Sequence, residues 1–332
     1  MPIPLLLLAG AGIFGVGKTI KAGADQKEAN EKNEMAEEAI RITVKKVETC
    51  RKNCSEAIDN LGKRKVKILD ESIKPFITEV EKLSHVELSE SKGLNELQKM
   101  VVDEKGFTEL KELQSMATSM VGGVASGAMA GAITAFGAYS AVGTFATAST
   151  GTAIASLSGA AATNATLAFL GGGAASAGGL GVAGGSAVLG SLAVAPALAV
   201  LGIVVGAKAS ANNDIASANI AKAIKYMNEM DVVEAACIGI RKRAAMFNRF
   251  LLSLDTVFEP LVYEMTQIIS QRGTDFRKYS DDEKKVVAEA MAMAGAIKSI
   301  LDTPILDEDG NLTSESDNVV ELTRQRLEEV MA

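Results

Sequence analysis

The amino-acid sequence predicts an all-α protein, a bundle of long helices with a Gly/Ala-rich apolar helical hairpin or tongue in the middle. Apolar residues recur in alternating steps of four and three from Ile40 to Ile68, and again from Phe247 to Ile268. This is the a/d spacing of a helix that packs along its length, as in a coiled coil. Between these two helical arms lies a long stretch without any charged side chain, which is the third observation behind the fold class.

The order of these features divides the chain into five parts. They are an apolar N-terminal segment (1–23), a first helical arm (24–112), an uncharged glycine-zipper region (113–207), a second helical arm (208–303) and a turn with a C-terminal helix (304–332). We expect long helices over 24–90 and 209–271, which Pro75 and Pro260 should kink or divide. An Asp-rich first turn after Ser280 predicts a helix to about residue 301, and a last helix is expected over 317–330. Between these two helices, residues 305–313 have the composition of a small turn.

The uncharged region is the most unusual part of the sequence. Its 95 residues contain no Asp, Glu, Lys, Arg or His, and they hold 19 of the 31 glycines. A helix that faces water carries charged side chains on at least one side. Residues 113–207 must therefore be buried, either in protein or in lipid.

Small residues recur every fourth position in this region, where they place glycines on one helix face. The glycines are Gly123, Gly127, Gly131, Gly143, Gly151 and Gly159. Such a face lets another helix backbone approach closely, as in small-xxx-small packing within membranes. Residues 186–207 are about as long as the roughly 20 residues that span a bilayer core, so they are the best span candidate. We expect the glycine faces to pack helices against each other in the membrane.

A phosphate-binding loop is an alternative interpretation of the N-terminal segment. The stretch "GIFGVGKT" has the required spacing, with Gly12, Gly17, Lys18 and Thr19 in the positions that bind phosphates and Mg²⁺. That chemistry needs a parallel sheet around the loop, and the sequence continues with a long charged helical pattern instead. We favour an apolar helix in which these glycines are packing positions and Lys18 lies near the membrane interface.

Charge and cysteine usage exclude several classes of function. The formal net charge is −7, and neither arm has the basic surface of a nucleic-acid-binding protein. Three cysteines and a single histidine, His85, provide neither a disulfide framework nor a His/Cys cluster with metal-ligand spacing. The sequence therefore predicts no enzyme activity, no cofactor and no metal site.

In layout, a helical arm, an apolar middle and a second helical arm, the chain resembles α-helical pore-forming toxins of the cytolysin A and haemolysin BL type. In these toxins the helices form a soluble bundle that shelters an apolar hairpin or tongue until it inserts and the protein oligomerises. Residues 147–173 also resemble a glycine-zipper module of bacterial proteins. The resemblance implies a membrane-inserting, pore-forming protein that assembles as a homo-oligomer on a lipid bilayer.

Two other functions share most of these sequence features. The first is a permanently membrane-anchored helical scaffold whose arms recruit a partner protein. The second is the nucleotide-binding protein described above. The apolar start lacks the basic residues of a secretory signal. We therefore expect a membrane-associated protein that is first made in a cytoplasmic or soluble form, as for a bacterial effector.

Overall fold

The predicted all-α fold is confirmed by a computed structural model, which describes residues 22–86, 103–124, 133, 136–138, 213–306 and 311–331. These residues are 89% helical and contain no β-strand. The six helices of this part of the chain are α1 (Ala22–Ile68), α2 (Lys74–Val80), α3 (Glu104–Val124), α4 (Asn213–Arg272), α5 (Asp281–Asp302) and α6 (Glu315–Met331). A π-helical turn, Leu69–Ile73, joins α1 to α2, and a 3-10 turn, Phe276–Lys278, precedes α5.

Two predicted features of the long helices need correction. The first long helix ends at Val80 and is followed by a turn at residues 81–82, so it does not extend to residue 90. Pro260 does not divide α4, which continues to Arg272. Pro260 lies on an exposed face, where the helix carbonyl that loses its amide donor can bind water instead. Pro75 does mark a division, because it lies in the first turn of α2 after the π-helical turn.

The shorter predicted elements are present. Ser280 caps α5 in a capping box, in which its side chain accepts from the Glu283 amide and the Glu283 carboxylate accepts from the Ser280 amide. Leu306 and Leu312 form an isolated antiparallel bridge, as expected for the turn over residues 305–313. α3 begins in the charged first arm and continues for twelve residues into the uncharged region, to Val124.

Contacts divide the chain into two compact units, Met1–Lys52 with Ala193–Cys237 and Asn53–Leu192 with Ile238–Ala332. In the first unit, the N-terminal parts of α1 and α4 run parallel: Asn219 donates to Asn33 at 3.0 Å, and Lys46 pairs with Glu234 further along. Their core consists of Ala36, Ile40, Val47, Ile220, Ala223, Tyr226 and Met230. Of these residues, Ile40 and Val47 belong to the predicted seam of the first arm, whereas those of α4 precede the predicted seam, which begins at Phe247.

The second unit is built around α5. Twelve of its 22 residues are buried, all between Val287 and Leu301, and this burial on every side identifies a central helix. The Phe76 and Phe258 rings lie 5.4 Å apart, which packs α2 against α4. The π-helical turn is held by hydrogen bonds, from Ser72 to Asp255 at 2.6 Å and from Thr118 to Asp70 at 2.7 Å.

Candidate functional site

Most of the functional residues predicted from the sequence lie outside the described residues. This holds for the phosphate-loop residues Gly12, Gly17, Lys18 and Thr19 and for Gly127, Gly131, Gly143, Gly151 and Gly159. Gly123 is helical and lies one position before the end of α3. The described part of the uncharged region therefore consists of residues 113–124, 133 and 136–138.

Ile133 and residues 136–138 lie against α1, and this contact is the candidate functional site. Gly62 of α1 is buried, and a Cβ atom placed on it would overlap the backbone carbonyl oxygen of Ile133. Only a residue without a side chain permits the two backbones to come this close. Gly62 thus has a packing role that outweighs the roughly 1 kcal/mol cost of glycine in a helix.

The opposing glycine comes from the uncharged region. A Cβ atom on Gly137 would overlap the carbonyl oxygen of Ile58 and lie 2.9 Å from the Gly62 amide nitrogen. Ile58 and Gly62 are four residues apart in α1, as are Ile133 and Gly137 in the partner segment, so each side offers an isoleucine and a glycine on one helix face. Because Ile58 and Ile133 are both buried, the crossing excludes water.

A lysine completes this contact one turn further along α1. Lys65 is fully buried, and its Nζ lies 3.1 Å from the carbonyl oxygen of Phe136 and 5.4 Å from the centre of the Phe136 ring. Burial disfavours the ammonium and lowers the pKa of Lys65 from 10.5 to about 7, although the charge of Asp302 acts in the opposite direction. Lys65 is therefore poised to change its charge near neutral pH.

The far end of the segment is held by the residues that follow α5. The carbonyl oxygen of Ala138 accepts hydrogen bonds from the Ile305 amide at 2.9 Å and the Leu306 amide at 3.1 Å. Ala138, Ile305 and Leu306 are all buried. Ile133 and residues 136–138 thus lie between α1 and the C-terminal turn, held by backbone contacts as well as apolar ones.

An ionic cluster beside this contact joins α3 to α5. Lys298 donates to Glu109 at 2.8 Å and also pairs with Asp302. An open cleft of about 740 Å³ adjoins the cluster. Burial opposes the charge on Lys298, but its two carboxylate partners outweigh this and raise its pKa.

The pKa values of the two carboxyls shift in opposite directions. Burial raises the pKa of Asp302 despite its lysine partner, whereas the hydrogen bond from Lys298 lowers the pKa of Glu109 at the rim of the cleft. The Asp302 Oδ1 atom is buried without a hydrogen bond. The charge of Asp302 is therefore compensated mainly by Lys298, with a smaller contribution from Lys65.

Replacing Lys298 with methionine is expected to lower the free energy of unfolding by about 1–3 kcal/mol, because Asp302 then keeps its charge without an ammonium partner. Urea unfolding at pH 7 measures this change. Lys285→Met is the matched control, since Lys285 lies on the same helix in an exposed pair with Glu289 and should shift stability by less than about 0.5 kcal/mol. Equal urea midpoints for the two variants would contradict the assigned role of the cluster.

Neither a metal-binding cluster nor a membrane-spanning helix occurs among the described residues. No group of three or more His, Cys, Asp or Glu side chains in this part of the chain is arranged to hold a metal ion. None of the described helices contains a stretch long and apolar enough to cross a membrane. Comparison with known protein families, curated protein sequences and solved structures found no match for the chain.

The sequence contained signals for this contact that pattern analysis did not use. Lys65 interrupts the apolar seam of α1 as a charged residue at a core position, which is compatible with a buried ionisable group. Gly62 interrupts a long helix without a turn nearby, which indicates a close backbone approach. Neither signal identifies the partner segment, because Ile133 and Gly137 lie far along the chain from both Gly62 and Lys65.

Proposed function

We propose that the protein is an α-helical membrane-inserting protein that permeabilises a lipid bilayer as a homo-oligomer. The observation that carries this proposal is the run of 95 residues without a charge, 113–207, inside a chain that is 23% charged. Membrane insertion explains why a chain would exclude every charged residue from so long a stretch, since each would cost about 2.5–3.5 kcal/mol at the centre of a spanning helix.

The contact between α1 and residues 133–138 supports a sheltering role for the arms. The segment belongs to the uncharged region, and it is covered by the first arm and by residues 305–306. Release of this contact would free both the Gly62 face and the Gly137 face for other helices. In this proposal the arms form the body outside the membrane, and the glycine faces of the uncharged region pack the inserted helices within or between subunits. The layout that resembles α-helical pore-forming toxins is consistent with this division of roles.

Dye release from loaded liposomes tests the proposal. The wild-type protein is expected to release the dye, and Leu198→Glu should lose most of this activity because it places a carboxylate near the middle of the 186–207 span candidate. Leu252→Glu is the matched control, since Leu252 is 45% exposed on α4 and the same substitution there should leave release unchanged. Vesicles that stay tight at every protein and lipid composition would refute the proposal. Carbonate-resistant membrane binding without dye release would favour the anchored scaffold instead.

A further inference from the structure

The contact between α1 and residues 133–138 contains one ionisable side chain, Lys65. The docked segment brings none of its own, since the whole uncharged region lacks Asp, Glu, Lys, Arg and His. Lys65 lies three residues after Gly62 and therefore on the same face of α1. Its exposed fraction is 0%, so the segment can dock only if the amine is removed from water.

We propose that Lys65 is a proton-operated latch: Ile133 and residues 136–138 dock on α1 when Lys65 is neutral and are released when Lys65 takes up a proton. This inference rests on the proposed membrane function for its biological meaning, and it adds acidification as the trigger that frees the uncharged region.

The hydrogen bond between Lys65 and Phe136 suits a neutral amine. A neutral lysine still carries two N–H donors, so its bond to the Phe136 carbonyl oxygen persists after the proton is lost. An ammonium in the same position has a third N–H donor and a full charge that burial deprives of its hydration. The contact with the Phe136 face offsets part of this cost through the ring quadrupole.

The direction of the pH dependence follows from this geometry. The docked form binds the Lys65 proton more weakly than the released form, in which the side chain is in water, and the pKa of about 7 in the docked form agrees with this. The docking constant therefore decreases as the pH falls from 10.5 to about 7, and it is nearly independent of pH below about 7. Between pH 8 and pH 6 the docking constant should fall about tenfold.

The charged groups around Lys65 bear on this pH dependence. Asp302 of α5 is the described charge that acts on Lys65, and it favours the ammonium. Burial raises the pKa of the Asp302 carboxyl, so its protonation favours the form in which Asp302 is buried and does not add to the weakening caused by Lys65. Other charges in this unit are engaged with their own partners: Glu109 with Lys298, Arg243 with Asp317, Asp255 with Ser72, and Asp70 with Thr118 and Lys74.

Hydrogen–deuterium exchange without lipid tests the latch. The measured quantity is the protection of residues 133–138 at pH 8 and pH 6, with each value referred to the denatured chain at the same pH. Protection in the wild type is expected to fall about tenfold between these pH values. Lys65→Met should stay protected at both, because its side chain cannot take up a proton.

Two further variants make the test specific. Lys67→Met removes a lysine two positions away that is half-exposed and paired with Glu71, and it should behave like the wild type. Lys65→Arg keeps a charge at both pH values and should show weak protection at both. The inference is overturned if wild-type protection does not change with pH, or if it changes equally in Lys65→Met.

The latch and the membrane function fail in distinguishable ways. Exchange is measured on the protein alone, whereas the proposed function is measured as dye release from liposomes. Dye release together with pH-independent protection would reject the latch and keep the membrane function. Protection that follows pH without dye release under any condition would reject the membrane function and keep the latch.

Discussion

Replacing Gly62 with alanine is expected to destabilise the protein, although the same change in an exposed helix interior stabilises it by up to about 1 kcal/mol. The added Cβ would overlap the carbonyl oxygen of Ile133, which belongs to the backbone and cannot rotate away. The two backbones must separate to relieve this overlap, and overpacking of this kind costs about 1–3 kcal/mol. Urea unfolding should show the loss, and residues 133–138 should lose protection from hydrogen exchange. Gly137→Ala is expected to destabilise the protein in the same way as Gly62→Ala, since the added Cβ would overlap the carbonyl oxygen of Ile58.

Gly239 of α4 is the matched control for Gly62. A Cβ on Gly239 would lie 3.0 Å from Leu312 Cδ1, the end of a side chain that is 36% exposed and can turn away. Gly239→Ala should therefore raise the free energy of unfolding by up to about 1 kcal/mol. A shift of the same sign for Gly62→Ala and Gly239→Ala would show that the close approach of the backbones is not required for stability.

Local patterns predicted the helices because the information for each lies within one stretch of sequence. The seam of α1 has buried residues at Val47, Ile58, Leu61 and Ile68, as its a/d spacing indicated. The start of α5 was also visible, since a serine followed three residues later by a glutamate forms a capping box from adjacent residues alone. The C-terminal parts of α1 and α4 both pack through apolar residues at the a/d spacing.

The partners of each helix face were less predictable, because they lie far apart in sequence. The four-residue spacing of small residues predicts a packing face but does not identify the surface that covers it. In the described part of the chain a close backbone contact is made instead by Gly62, a position that the seam of the first arm skips. Gly137 likewise lies outside the predicted glycine series. The contact depends on how two backbones fit together, and periodicity contains no information about that fit.

Lys65 illustrates the same limit for electrostatics. From the sequence it is an interruption of an apolar seam, which is equally compatible with a side chain that reaches water through its long stem. In the structure the side chain of Lys65 is fully buried, its Nζ contacts the Phe136 carbonyl oxygen, and the charge of Asp302 acts on it. Its burial follows from the docking of the uncharged segment and could not be derived from α1 alone.

Replacing Lys65 with methionine is expected to raise the free energy of unfolding, most strongly at acidic pH. The pKa of Lys65 is about 7 in the folded protein, against an ordinary value of 10.5. The burial of Lys65 in the wild type therefore costs the full desolvation penalty below pH 7, and this cost decreases as the pH rises to 10.5. This penalty is about 5 kcal/mol at pH 6 and about 2 kcal/mol at pH 9. Methionine fills a similar volume without a charge, but it leaves the Phe136 carbonyl without this donor, at a cost of about 1–3 kcal/mol.

The net gain for Lys65→Met should therefore be about 2–4 kcal/mol at pH 6 and close to zero at pH 9, as measured by urea unfolding at both pH values. The difference of about 3 kcal/mol between the two pH values depends only on the proton, since the lost hydrogen bond and the packing of methionine are the same at both. Lys67→Met, on the exposed side of α1, should change stability by less than about 0.5 kcal/mol at either pH. A gain of the same size at pH 6 and pH 9 would mean that the buried Lys65 side chain keeps its proton throughout this range, and that its packing, not its charge, sets the stability of the docked segment.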